Sequence, residues 1–120
     1  MKIRKGFVTN SSSSSFVIAI RDDATKLSIY NELFELVNVE DVKEWVSTRE
    51  WVEAETVEEI MDEVAEELYD CHMCGMALAG WHIVSREYNN EDNDVGMFMY
   101  DNMDFSGQET EHMKIEGGYC

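Results

Sequence analysis

The sequence of 120 residues contains no proline, only three cysteines and only nine lysine or arginine residues. Without proline, few of its loops are expected to be rigid. An odd number of cysteines excludes a fully paired disulfide framework, and reduced thiols in a cytosol are the simplest interpretation. The apolar run at residues 16–20 is too short for a signal peptide or a membrane span. We therefore expect a soluble protein of the cytoplasm.

Basic residues are missing from one part of the chain in particular. Between Glu50 and Ser85 there is no lysine or arginine, and residues 50–120 hold nineteen acidic groups against two basic ones. Residues 1–49 are neutral in sum, so the second part carries the whole net charge of −17. Such a field repels nucleic acid and anionic membranes and attracts basic protein surfaces. We expect a basic protein as partner, and neither direct nucleic-acid binding nor membrane binding.

Length and composition fit one folded domain. An apolar content of 44% with 11% aromatic residues is typical of a folded globule rather than a disordered acidic chain. A chain of this length buries a core without needing disulfides or metals. We predict a single domain over residues 1–120, in which residues 1–15 are either a flexible segment or a loop that leads into a strand.

Hydrophobic spacing predicts helices followed by strands. Apolar residues recur every three or four positions over 25–38, 40–46 and 57–74, which is the helical period. The predicted strands are 15–20, 81–88, 95–100 and 112–116, with a hairpin-like loop over 89–94. This order indicates the α+β class, a small antiparallel sheet with about three helices packed on one face.

Polar residues mark several helix ends. Thr25 is a plausible N-cap, and Thr56 with Glu59 has the spacing of a capping box. Gly75 is typical of a residue that follows a helix. Residues 47–50 also have capping-box spacing, which predicts a short turn around residues 51–52.

The helix predicted over 57–74 is the clearest element, and its two faces differ. Apolar residues fall on one face at 100° per residue, and seven carboxylates fall on the other. These are Glu58, Glu59, Asp62, Glu63, Glu66, Glu67 and Asp70. Like charges at this spacing destabilise an isolated helix, and we expect that the chain supplies no lysine to relieve them.

This acidic face has two interpretations. It is either a solvated outer surface, or a docking surface that resembles the phosphate backbone of a nucleic acid. Under the second interpretation, the helix and the loop residues Glu91, Asp92 and Asp94 bind the basic groove of a nucleic-acid-binding protein.

Cys71 and Cys74 have the spacing of one half of a zinc site. No second pair with a standard spacing exists, and His82 is a candidate third ligand. Alternatively, Cys71 continues the buried face of the helix as a structural thiol. A redox role is disfavoured because acidic surroundings raise the pKa of a thiol. A small zinc-binding module with Cys71, Cys74 and His82 as partial ligands is an alternative hypothesis, and we expect no other cofactor.

Two further patterns point away from specific sites. Asn90, Asp92, Asp94 and Asp101 match four EF-hand offsets, but Val95 stands where the loop glycine belongs, which favours an ordinary polar turn. The three histidines show no nucleophile pairing, and there is neither a P-loop nor a dinucleotide fingerprint. We therefore predict a protein that is not an enzyme.

The N-terminus, KIRKGFVTNSSSSSF over residues 2–16, resembles an opening shared by many otherwise unrelated small proteins of bacteriophages, prophages and their microbial hosts. The matching residues are Gly6, Phe7, Val8, Thr9, Asn10, Ser11–Ser15 and Phe16. The resemblance implies a viral or mobile-element origin and carries no established activity.

Small size and strong acidity also resemble the general type of viral proteins that block host nucleic-acid-binding machinery, such as anti-restriction proteins, anti-CRISPR proteins and polymerase inhibitors. We expect an acidic, phage-encoded inhibitor that acts in the host cytoplasm. A virion or assembly component is a further alternative, and a homodimer through Met97 or Met99 is conceivable.

Overall fold

The computed structural model describes residues 13–50, 52–89, 93–102 and 108–119. Five strands and four helices lie in these ranges. In chain order they are β1 (Ser13–Arg21), α1 (Lys26–Leu36), α2 (Val39–Thr48), α3 (Val57–Cys74), β2 (Met76–Leu78), β3 (Trp81–Asn89), α4 (Asp94–Asn102), β4 (Gln108–Glu109) and β5 (Met113–Tyr119).

The strands form one antiparallel sheet in the order β2-β3-β1-β5-β4. β1 is central, and its Ile18 is paired with Val84 on one side and Ile115 on the other. Alternate residues of β1 are buried under the helices, whereas Val17 between them is exposed. The predicted α+β class, with an antiparallel sheet and helices on one face, is confirmed.

The helix starts follow the capping residues in the sequence. Thr25 Oγ1 accepts a hydrogen bond from Ser28 N at 3.0 Å, and α1 begins at Lys26, directly after Thr25. At the start of α3, Thr56 Oγ1 accepts from Glu59 N at 3.1 Å, and Glu59 Oε1 accepts from Thr56 N at 3.2 Å. Thr25 and the Thr56–Glu59 capping box are therefore confirmed. None of the helices in the described part of the chain combines the length and hydrophobicity that a bilayer crossing requires.

The strand predicted over 95–100 is wrong, because these residues belong to α4. Asn93 Oδ1 accepts from Gly96 N at 3.0 Å, as an N-cap side chain does. Met97 to Tyr100 are all buried, so the helix is surrounded by the core and shows no polar face. A short run that is apolar throughout has no hydrophobic period, so periodicity does not distinguish a helix from a strand.

The capping box predicted from residues 47–50 is wrong, whereas the predicted turn agrees with the structure, since Val52 N donates to Arg49 O at 3.3 Å. Ser47 and Thr48 donate their hydroxyls to Glu44 O at 3.0 and 2.8 Å and thus close the last turn of α2. Residues 52–55 are not helical, and Trp51 lies outside the described residues. Burial of Met97 and Met99 also removes the dimer surface that these residues were expected to offer.

Gly117 allows β5 to pass close to β1 at the irregular register beside Ser15 and Phe16. Its φ is +129°, and a Cβ there would lie 2.2 Å from Ser15 O. We expect Gly117→Ala to lower the free energy of unfolding by about 2 kcal/mol, measured by urea denaturation. Gly80 is the matched control, because its φ is +86° and a Cβ would meet nothing within 4 Å. An equal loss in Gly80→Ala would show that the close approach is unimportant.

Candidate protein-docking surface

The acidic face of α3 lies in solvent along most of its length. Residues 58 to 70 span about 18 Å of helix axis and carry seven carboxylates, about one every 3 Å. Six of the seven predicted docking residues on α3 are exposed, namely Glu58, Glu59, Asp62, Glu63, Glu66 and Asp70. The opposite face is fully buried and supplies the packing that offsets their repulsion.

Lys26 reaches this face from α1. Its Nζ lies 3.3 Å from Asp62 Oδ1 and 3.9 Å from Glu66 Oε1. The expectation that no lysine relieves the repulsion is therefore wrong, because the cation comes from a distant part of the sequence. All three side chains are well exposed to solvent, so these ion pairs contribute little to stability. They neutralise one edge of the acidic face.

The other edge of the acidic face has a higher density of negative charge. Burial raises the pKa of Glu63, and the carboxylates of Asp94, Glu59, Asp62 and Glu53 raise it further. Such a shift is expected where like charges are crowded.

Two exposed residues of the segment before α3, Glu53 and Glu55, were missed at the sequence level. The stretch from Glu50 onward that lacks basic residues was the signal that could have found them. We define the acidic strip as Glu53, Glu55, Glu58, Glu59, Asp62, Glu63, Glu66 and Asp70.

Asp94 does not belong to the docking surface, although it was predicted there. Its residue exposure is 7%. Oδ2 accepts from Ala54 N at 2.8 Å, and both carboxylate oxygens lie 3.0 Å from Glu53 N. Asp94 is buried because these backbone N–H groups need acceptors where the segment before α3 packs against α4. Glu91 and Asp92 lie outside the described residues.

Glu67 is a second correction to the predicted docking set. It is only partly exposed, and its Oε2 accepts from Tyr88 Oη at 3.1 Å. Burial raises the pKa of Tyr88, so the phenol keeps its proton and remains a donor. Glu67 therefore connects α3 to β3 instead of facing solvent.

A groove of about 410 Å³ runs beside the acidic strip between α1 and α3. Leu27 and Tyr30 give it an apolar wall, and Glu58 and Asp62 stand at its margin with Lys26. Leu27 is 67% exposed. An apolar wall beside carboxylates matches a long basic side chain, which has an aliphatic stem and a charged end.

The predicted zinc ligands are not brought together. Cys71 is buried, Cys74 is exposed, and His82 Nε2 lies 2.6 Å from Asp22 Oδ1. Burial raises the pKa of the Cys71 thiol, which matches an inert structural cysteine. Across the described ranges, only Glu32, Glu111 and His112 place three ligand atoms within 4.8 Å of one another.

The described members of the EF-hand pattern also have other partners. Asp94 accepts from backbone N–H groups, as above. Asp101 Oδ2 accepts from Trp45 Nε1 at 2.9 Å and lies 3.2 Å from Arg49 Nη2. The two carboxylates stand at opposite ends of α4, and Asn90 and Asp92 lie outside the described residues.

Glu32 forms a buried cluster that the sequence did not indicate. Its Oε1 accepts from Thr110 Oγ1 at 2.5 Å and from His112 N at 2.9 Å. Its Oε2 lies 2.5 Å from His112 Nδ1. Because these contacts occupy three acceptor positions of the carboxylate, the cluster connects α1 to the turn between β4 and β5 and is not an open metal site.

Both titratable members of this cluster are shifted toward their charged forms. The hydrogen bond with Glu32 raises the pKa of His112. Burial by itself would raise the pKa of Glu32, but hydrogen bonds from Thr110 and His112 outweigh it, and the net shift is downward. Both shifts favour the imidazolium–carboxylate form of the pair.

Comparisons with protein-family models, with curated proteins and with solved structures found no match to this chain. No function is assigned by similarity. Most of the N-terminal resemblance falls on residues 1–12, which lie outside the described residues, and the origin that it implies stays a prediction.

Proposed function

We propose that this chain is a non-enzymatic interaction protein that blocks a basic nucleic-acid-binding protein of its host by mimicking nucleic acid. The observation that carries the proposal is the acidic face of α3. It presents about one carboxylate every 3 Å of axis, against about 3.4 Å per phosphate along one DNA strand. A basic groove shaped for a phosphate backbone would meet a similar linear density of charge.

The fixed geometry of α3 supports this role. The capping box at Thr56 and the buried face keep the helix formed before any partner arrives. A preorganised row of charges loses little conformational freedom on binding, so more of the interaction energy appears as affinity. A net charge of −17 also accelerates the encounter with a basic partner, and the acceleration falls with ionic strength.

The groove beside the acidic strip supports a protein as the partner. Leu27 and Tyr30 offer apolar contact area that a purely electrostatic mimic would not need. An arginine or lysine of the partner would lay its stem against them and place its charge near Glu58 and Asp62. Apolar contact beside the charges provides specificity that charge alone does not give.

The decisive test reverses charge on the strip. We expect Glu63→Lys combined with Glu66→Lys to weaken binding to a partner captured from microbial host lysate by about 100-fold, because like charges then meet in the interface. Glu35→Lys combined with Glu44→Lys is the matched control, since both residues are exposed on α1 and α2. Each pair changes the net charge from −17 to −13 by the same four units.

The measurement is the dissociation constant at low and high salt, with DNA or RNA as competitor, after circular dichroism has shown both variants to be folded. We expect the control to bind within about threefold of the unaltered protein, because its charges lie outside the interface. Equal losses of affinity in the two variants would show that net charge alone accounts for the effect, and would contradict docking by the acidic strip. A captured partner that nucleic acid does not displace would contradict mimicry.

A further inference from the structure

The face of the sheet opposite the helices is apolar in its centre. β1 presents Val17 and Ala19 there, and their register partners on β3 include Ile83. The side chain of Met76 in β2 is opposite Ile83 and is 69% exposed, and Val17 is 49% exposed. One-sided antiparallel sheets usually present polar residues on the free face, so this face has the composition of a covered surface.

Charges of opposite sign lie on either side of the level of Ile18 on this face. At one end the Arg21 guanidinium lies 4.7 Å and Lys114 Nζ 4.9 Å from the centre of the Trp81 ring. On the other side of the level of Ile18, Glu116 is the register partner of Val17. Lys114 and Glu116 are two residues apart on β5, which places them on the same face about 7 Å from each other along the strand.

The shape of the face also differs between its two sides. A groove of about 560 Å³ lies at the Glu116 end, with Val17 and Ser85 among its lining residues. The large Trp81 ring with its two cations lies at the other end. Lys114 and Glu116 therefore stand on opposite sides of the level of Ile115, and the groove faces the bulky Trp81 ring when one copy is turned over onto another.

We propose that this open sheet face binds the same face of a second copy of the chain. The two-fold axis crosses the strands at the level of Ile18 and Ile115, which are register partners. β5 of one copy then runs antiparallel across β5 of the other, and each Lys114 faces Glu116 of the opposite copy. Such an interface is self-complementary and closed, so it produces a dimer and no larger assembly.

The size of the face suits a modest dimer. Nine-residue strands such as β1 are about 30 Å long, and the strands that line the centre are roughly 20 Å across, which gives about 600 Å² per copy. A total near 1,200 Å² is at the lower end of specific interfaces, so we expect a micromolar dissociation constant. The helices, and with them both acidic strips, stay on the outside. The inference is independent of the proposed function.

Sedimentation velocity over the micromolar range tests the dimer directly. The unaltered protein is expected to shift from 13.9 kDa to twice that mass as concentration rises. A protein that stays monomeric throughout overturns the proposal without any variant. Val17→Lys places a charge in the centre of the face and should abolish the dimer, whereas Val39→Lys changes an exposed valine at the start of α2 and should not.

The arrangement of the two copies is tested by mixing charge variants. Lys114→Glu alone, or Glu116→Lys alone, makes both inter-copy contacts repulsive, and each is expected to raise the dissociation constant at least tenfold. An equimolar mixture of the two folded variants should form a heterodimer, because both contacts then join opposite charges. A mixture that stays monomeric, or single variants that dimerise as the unaltered protein does, would overturn the antiparallel two-fold arrangement.

Discussion

Replacing Glu32 with alanine is expected to lower the free energy of unfolding by about 3 kcal/mol, since removal of one partner from a buried ion pair leaves the other uncompensated. Thr110 Oγ1, His112 N and His112 Nδ1 all lose their acceptor. Glu32→Gln should cost less, because its amide oxygen still accepts from two of these donors. Urea denaturation measures the difference.

Glu35→Ala is the control for this prediction. Glu35 lies on the same helix, one turn further on, and is exposed, so its removal should change the free energy of unfolding by less than about 0.5 kcal/mol. Similar losses of free energy in both alanine variants would show that the loss is not specific to the contacts of Glu32 and would contradict this prediction.

The cost of Glu32→Ala should also depend on pH. The raised pKa of His112 gives stability that is complete below its ordinary value of 6.5 and is lost as the pH rises through the raised pKa. The lowered pKa of Glu32 gives stability that is complete above 4.5 and is lost as the pH falls through the lowered pKa. The difference between the unaltered protein and Glu32→Ala should therefore be largest between these two values. A difference that is constant from acid to alkaline pH would contradict the assigned charges.

Asp94→Ala is expected to cost a similar amount, about 3 kcal/mol, because it leaves two buried backbone donors without an acceptor. The donors are Glu53 N and Ala54 N, which anchor the segment before α3 to the start of α4. Asp94 also lies in the first turn of α4, where a negative charge is favourable. Thermal and urea unfolding should both report the loss.

Two further variants test whether the loss of stability comes from the buried contacts of Asp94. Asp70→Ala removes an exposed carboxylate from the acidic strip and should be nearly neutral for stability. Asp94→Asn keeps one acceptor oxygen, and it should lower the raised pKa of Glu63, since Asp94 is one of the charges that raise it. A Glu63 pKa that is the same in Asp94→Asn as in the unaltered protein, measured by NMR titration, would contradict this coupling.

The elements that were predictable from sequence are those whose signals are local. α3 begins after a capping box and keeps its period over 18 residues, so both ends agree with the prediction. β3 is rich in β-forming residues and was also found. In these elements the backbone preference, the cap and the apolar pattern favour the same structure.

The features of the fold and of the candidate site that were not predicted depend on contacts between distant parts of the chain. Lys26 meets Asp62 from 36 residues away, and Glu32 meets His112 from 80 residues away. α4 is helical because the core surrounds it, and the short strands β2 and β4 exist because longer neighbours offer them an edge. Tertiary context of this kind outweighs propensity in short segments.

The central position of β1 in the sheet affects how the chain folds during its synthesis. Ile18 is paired with Ile115, so 97 residues of synthesis separate the two strands. At about 5–20 residues per second, this takes roughly 5–20 s on the ribosome. During that interval the edge of β1 that will receive β5 has no strand to pair with, and an open apolar edge is a template for aggregation. The strand order therefore leaves the nascent chain open to pairing with other chains until β5 has been made.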